Sequence, residues 1–175
     1  SQRDVHTYVH KESGPDGARI LSIIRPAKMP ERIRPFFNSL CAARVGLIEV
    51  SAIDATFGEV LVGFASAGIG KGIFVVNPPP GEWVDEDQVK AFIAQAGLSG
   101  WKQGNSDGID LRSALYGLMD EISGDLESAK QEPLVVPIDQ HFNVKGIGLV
   151  AIGYVQSGSV SVHDELHLLP AEGPG

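Results

Sequence analysis

Val45-Gly46-Leu47-Ile48-Glu49-Val50, then Phe57 to Ala67, then Lys71-Gly72-Ile73-Phe74-Val75-Val76 is the stretch whose reading decides the fold of this chain. The two short runs are apolar along nearly their whole length, as strands buried on both faces must be. The segment between them has helical length, and Gly68 is suited to end it. Strand, helix, strand in that order is a parallel unit with a crossover helix. Ahead of it, Pro30 to Arg44 sets Ile33, Phe36, Phe37, Leu40 and Ala43 at spacings of three and four, a helical period with Pro30 in its first turn. Behind it, Pro78-Pro79-Pro80 stops the second strand. Asp85 to Ala96 then reads as a helix with Val89, Phe92 and Ile93 inward. Ile109 to Leu126 reads as another, capped by Asp107, with Leu111, Leu115, Leu118, Met119 and Ile122 on one face.

At the front of the chain, Val5, Thr7 and Val9 alternate with His6, Tyr8 and His10, and Ser13-Gly14-Pro15-Asp16-Gly17 is a turn signal. The apolar run Ala18 to Ile24 should pair back as a hairpin and add an antiparallel edge to a mainly parallel sheet. From Ser128 to Pro133 the pattern changes. Leu134 to Ile138, Gly148 to Val155, Ser159 to Val162 and Glu165 to Leu169 read as short strands separated by Gly-rich turns, the mark of a small antiparallel barrel. The expected organisation is an α/β domain over residues 1–130 and a partial antiparallel β-barrel over residues 131–175, the latter incomplete because so short a piece rarely holds a core alone.

Composition narrows the function classes. The 175 residues carry 14 Lys+Arg against 22 Asp+Glu, a net charge of -8, which argues against a broad phosphate-binding surface. The single Cys41 excludes an internal disulfide framework, and no Cys/His pairs stand at metal-ligand spacing. Cys41 is expected to be a small buried thiol on the apolar side of its helix. No apolar leader and no run of about 18 apolar residues occur, so a cytoplasmic protein with no membrane contact is expected. His6 and His10 fall on one strand face, read as solvated. Trp83 and Trp101 flank the acidic helix and are read as packing residues.

The stretch from His141 to Pro170 resembles the start of the second domain of translational GTPases. The resemblance rests on Phe142, on Gly146-Ile147-Gly148, on Gly153 and Gly158, and on Asp164-Glu165-Leu166. Physically these glycines serve turns and bends. In that family, which includes elongation factor Tu, elongation factor 1-alpha and the selenocysteine-specific elongation factor, the region docks the acceptor end of charged tRNA and the small ribosomal subunit. Cys41 to Glu59 and Gly68 to Asn77 are similar to the later part of the family's G domain, most closely in an archaeal group related to the selenocysteine factor. The implied fold is a degenerate P-loop GTPase-like domain followed by the beginning of a barrel.

The departures from that family carry as much information. A phosphate-binding loop needs G-x-x-x-x-G-K-[ST] after a strand. Gly68-Ile69-Gly70-Lys71-Gly72 imitates it, but Ala65 stands at the first glycine position, Gly72 replaces the hydroxyl residue, and the run precedes a strand. The chain begins at about the position where the family's first strand and phosphate loop would already have passed. Where the family's D-x-x-G element should follow, Ile24-Arg25-Pro26-Ala27-Lys28 has neither carboxylate nor glycine. Asn77-Pro78-Pro79-Pro80 keeps only the asparagine of the guanine-reading N-K-x-D element, so Asn77 is the one remnant cofactor-binding candidate.

Against the acidic total, Arg19, Arg25, Lys28, Arg32, Arg34 and Arg44 face only Glu31 in the same stretch. Arg25, Lys28, Arg32 and Arg34 are therefore candidate RNA-binding residues. The expected function is that of an elongation-factor-like, non-catalytic protein. Its expected partners are tRNA, rRNA or the ribosome and other translation factors, with self-association through exposed strand edges also open. Neither a catalytic residue nor a metal ligand is legible, and no cofactor is expected. GTP and magnesium enter only under the alternative of a GTP-binding elongation factor whose phosphate loop lies outside this chain. A third reading is a structural or interaction module with no translation role.

Overall fold

The computed structural model describes residues 4–14 and 17–169. The chain divides into two units, Ser1–Ser123 and Gly124–Gly175. The first opens with β1 (Val5–Gly14) and β2 (Gly17–Pro26), antiparallel, with Val5 opposite Pro26 and Gly14 opposite Gly17. Pro15 and Asp16 of the expected turn lie outside the described residues. The hairpin is not an edge of the parallel sheet but a two-stranded sheet of its own. Side chains join it to the rest: Leu21 is buried and Ile23 half-buried in a cluster with Ile73, Val75, Leu115, Tyr116 and Leu118.

Helix α1 (Arg34–Ala42) is shorter than the predicted span from Pro30 to Arg44. Pro35 sits in its first turn, and Ala43 has extended backbone that ends it. Its buried stripe is Phe36, Ser39 and Leu40, spaced by three and four. Cys41 and Phe37 lie one position further round and are exposed, which corrects the expected burial of the thiol.

There follow β3 (Gly46–Val50), α2 (Ala55–Ser66), β4 (Gly72–Val76), α3 (Glu86–Gln95), β5 (Lys102–Gly104) and α4 (Gly108–Ala129). The strands form a parallel sheet in the order β3-β4-β5. The cap expected at Asp107 is present, and Asp54 and Asp85 cap the two helices before it. The Asp54 carboxylate accepts the N–H of Phe57, that of Asp85 accepts from Asp87 and Gln88, and that of Asp107 accepts from Ile109 and Asp110. Alternation along β4 sends Phe74 to one face and Ile73 and Val75 to the other. The first face packs against Phe36, Leu61, Phe64, Val89 and Ile93 from α1, α2 and α3, and the second against Leu115 and Leu118 from α4. Phe92, expected inward, is exposed, because the stripe through Val89 and Ile93 leaves it to one side.

Trp101 closes the amino end of the sheet. Its indole N–H donates to the Ile69 carbonyl at 3.0 Å and its ring meets Phe64 edge-on at 4.9 Å. The ring lies across Gly46 and Gly72, the first residues of β3 and β4, and a Cβ at Gly72 would come within 2.6 Å of it. These glycines are the space the indole occupies.

In the second unit, β6 (Ile138–Val144) and β7 (Gly148–Gly153) form an antiparallel hairpin, and Val135 and Ser157 make one isolated bridge. Among the described residues there is no closed barrel. The strands expected at Ser159 to Val162 and Glu165 to Leu169 do not form. Ser161 to Asp164 is instead a turn, in which the Asp164 carboxylate accepts the Ser161 N–H at 2.7 Å and the Ser161 carbonyl accepts the Asp164 N–H at 3.2 Å. An alternating pattern makes a strand only where a neighbour completes the ladder. Pro170, the last residue of the family-like stretch, lies outside the described residues.

Candidate functional site

Ligands of open α/β sheets bind outside the carboxyl ends of the strands, so the loops after β3 and β4 come first. The backbone N–H of Asn77 donates to the Val50 carbonyl at 2.9 Å, extending the β3–β4 pairing. Its side-chain amide donates to the Glu49 carboxylate at 2.7 Å. The amide that would read a base edge in the family motif therefore braces two strand ends. Pro78, Pro79 and Pro80 follow, and the Glu82 N–H closes a turn onto the Pro79 carbonyl at 3.0 Å. Beyond that turn Val84 is buried and Asp85 starts α3, while Trp83 is 80% exposed. The reading of both tryptophans as packing residues holds for Trp101 and fails for Trp83. A depression of about 380 Å³ lies here, with Trp83, Val76 and Pro78 among its lining residues.

The imitation phosphate loop, Gly68 to Gly72, leads into β4. Gly68, with φ +70, ends α2, and Ile69 is buried. The Lys71 ammonium reaches the Glu121 carbonyl at 3.4 Å. Lys102 binds the Glu121 carboxylate at 2.6 Å and, with the nearby charge of Lys71, holds that carboxyl below its usual range.

The basic stretch separates into two parts. Arg19 is committed elsewhere. Its guanidinium lies 4.7 Å from the centre of the Tyr116 ring, donates to the Tyr116 carbonyl at 3.1 Å, and pairs with Asp120 at 2.7 Å and Glu12 at 3.3 Å. Arg25, Lys28, Arg32 and Arg34 are all exposed on the segment running from the end of β2 to the start of α1. Arg32 pairs with Asp4 at 2.6 Å, whereas Arg25 and Arg34 have no ion pair among the described residues. Lys28 has φ 58 and its carbonyl accepts the Arg32 N–H at 2.8 Å, so the backbone between these two cations is folded tightly.

The two histidines of β1 have different fates. His6 is exposed opposite Arg25. His10 is half-buried, with its Nδ1 3.0 Å from the Tyr116 hydroxyl, which also donates to the His10 carbonyl at 3.2 Å. Asp107 is held below the usual carboxylate range by the backbone N–H groups of Asp110 and Ile109. Among the described residues no three His, Cys, Asp or Glu side chains gather as metal ligands would, and no helix is long and apolar enough to cross a membrane.

No family model matches the chain. It is 30% identical over 169 residues to an uncharacterized protein, MJ0325, of Methanocaldococcus jannaschii, a match covering 97% of this chain and 50% of that protein. Over 61 residues it is 36% identical to the selenocysteine-specific elongation factor of the same organism, covering 35% of this chain and 13% of that one. Among solved structures it is similar to a bacterial selenocysteine-specific elongation factor, EF-Sec, with TM-score 0.53 and 25% identity over 87% of this chain and 28% of that chain. The chain thus spans about half the length of the first relative and a smaller part of either elongation factor.

Proposed function

We propose that this chain is an elongation-factor-like binding protein of translation. Residues 1–130 act as a degenerate G-like domain and residues 131–175 as the start of a domain-2 barrel. The observation that carries the reading is the likeness to one bacterial selenocysteine-specific elongation factor along 87% of the chain. The partners it suggests are tRNA, the ribosome and other translation factors, met in a cytoplasmic setting. Within this reading Arg25, Lys28, Arg32 and Arg34 contact RNA phosphates, since four exposed cations on one folded segment form a local positive field in an acidic chain.

The fold family implies a guanine nucleotide and magnesium, and the residues of this chain do not fit them. The Asn77 amide is occupied by Glu49, and proline stands where a lysine and an aspartate would meet the base and the nucleotide. Ile24-Arg25-Pro26-Ala27-Lys28, where the phosphate-sensing element would stand, offers arginine and lysine but no carboxylate for a magnesium ion. No catalytic step is therefore assigned, and the chain acts by binding.

Co-sedimentation with ribosomes and tRNA binding at two salt concentrations test the proposal. Reversing Arg25, Lys28 and Arg32 to glutamate should weaken binding and reduce the salt slope by about one for each phosphate no longer neutralised. Unchanged affinity and slope would refute the RNA-binding role of this segment. Magnesium-dependent micromolar binding of fluorescent GTP would refute the non-catalytic reading.

A further inference from the structure

Tryptophan is the largest side chain, yet Trp83 stands 80% exposed, whereas Trp101 is 7% exposed. The backbone on both sides of Trp83 is fixed. On one side the Pro79–Glu82 turn, with Gly81 at φ +87, sets the loop. On the other, Val84 is fixed in the core at 7% exposure and the Asp85 carboxylate is tied to the first N–H groups of α3. An exposed indole beside a depression lined by Val76, Pro78 and Val84 joins apolar area that a partner would cover.

The surroundings of the ring select the partner. Val76, Pro78 and Val84 make the apolar part of the depression, and Asp85, Glu86 and Asp87 make its polar part; no lysine or arginine lines it. Glu86 accepts from Gln103 at 2.8 Å and Asp87 pairs with Lys90 at 3.3 Å, both at the exposed surface, where such contacts are weak. An anionic ligand is repelled here. A guanidinium is suited on two counts, because indole is the best aromatic partner for a cation and carboxylates accept the planar N–H fork. We infer that the Trp83 loop docks an arginine-bearing, basic peptide segment of a partner protein, one arginine stacking on the indole while Glu82, Glu86 and Asp87 draw in its neighbours. This inference is independent of the RNA-binding proposal, since it uses the opposite charge and different residues.

The test uses the whole chain and a short synthetic peptide alternating arginine and glycine, with lysine and glutamate versions as comparisons. Proton–nitrogen NMR resolves the two indole N–H groups. The arginine peptide should shift the Trp83 resonance saturably while leaving Trp101 in place, the lysine peptide should bind less tightly, and the glutamate peptide should not bind. Trp83→Ala should weaken the arginine peptide about fivefold or more with no change in melting temperature, and Trp83→Phe should retain part of the affinity. Equal affinity of Trp83→Ala and the parent chain would overturn the inference, leaving only unspecific attraction to an acidic protein. So would a Trp83 shift produced by oligouridylate.

Discussion

Gly46→Ala is the substitution for which the structure makes the sharpest demand. Gly46 is not among the residues with positive φ, so alanine suits its backbone and would by itself stabilise the chain by about 0.4–1 kcal/mol. Space decides otherwise. The new Cβ would overlap the Trp101 ring and come within 2.9 Å of the Phe64 ring. Trp101 has little room to yield, being pinned by its N–H bond to Ile69 and its edge contact with Phe64. Displacing the ring costs about 1–3 kcal/mol of overpacking strain. Loss of the buried indole hydrogen bond adds about 1–3 kcal/mol. A net destabilisation of about 3 kcal/mol follows, a drop of roughly 10 °C in melting temperature for a protein of this size.

A double-mutant cycle isolates the cause. Trp101→Leu alone should also cost about 3 kcal/mol, through the cavity it leaves and the missing hydrogen bond. If the glycine is there to admit the indole, the shorter side chain relieves the clash. Gly46→Ala with Trp101→Leu should then be less destabilised than the sum of the singles by about 1.5 kcal/mol or more. Guanidinium unfolding of the four proteins, followed by far-ultraviolet circular dichroism, measures this. Additivity within about 0.5 kcal/mol, or a Gly46→Ala variant as stable as the parent, would refute the account of this end of the sheet.

Tyr116→Phe should cost about 1 kcal/mol, because the hydroxyl that serves His10 is removed while the ring under Arg19 remains. Arg19→Ala removes the cation–π contact, the bond to the Tyr116 carbonyl and two exposed ion pairs together, for about 2 kcal/mol. Amide exchange should accelerate in β1 and β2 in both variants; unchanged protection there would count against the clamp. Asp107 supplies a pH dependence. Its folded pKa lies below the ordinary 3.8, so its stabilisation is fully present above that value and is lost as pH falls through the lower folded value. Asp107→Ala should therefore be less stable than the parent at neutral pH, with the difference closing in strong acid. A gap that persisted at the acid end would show that the carboxylate charge is not the cause.

The parallel unit was legible because β3 and β4 are covered on both faces and so are apolar along their length, and because Asp85 and Asp107 mark helix starts; the cap at Asp54 was not read. β5 was not, since Lys102-Gln103-Gly104 has no apolar residue and is a strand only through pairing with β4. The contrast between Trp83 and Trp101 was equally hidden. What buries Trp101 is a pair of glycines more than 25 residues away in sequence, and no local pattern links them to it. The partnership of His10 and Tyr116 spans 106 residues. In the second unit the glycine turns were readable, but strands were assigned where the described residues supply no neighbouring ladder.

The placement of charge bears on both proposed interactions. At the carboxyl end of the sheet Glu49 holds Asn77, and Asp85, Glu86 and Asp87 line a depression with an exposed indole. A phosphate brought there meets several carboxylates and no cation of the depression to offset them. On the segment from β2 to α1 the sign reverses, and Arg25 and Arg34 have no internal ion pair among the described residues to give up before they meet a phosphate. Under the proposed RNA-binding role, an RNA on the cations would be repelled from the Trp83 loop, leaving that loop open to the cationic partner inferred for it. Added salt should weaken both proposed interactions, and RNA binding the more steeply, because releasing counterions from a polyanion contributes to every phosphate bound. If both proposals hold, the arginine stack on the indole, a short-range contact, should persist at ionic strengths that remove the RNA.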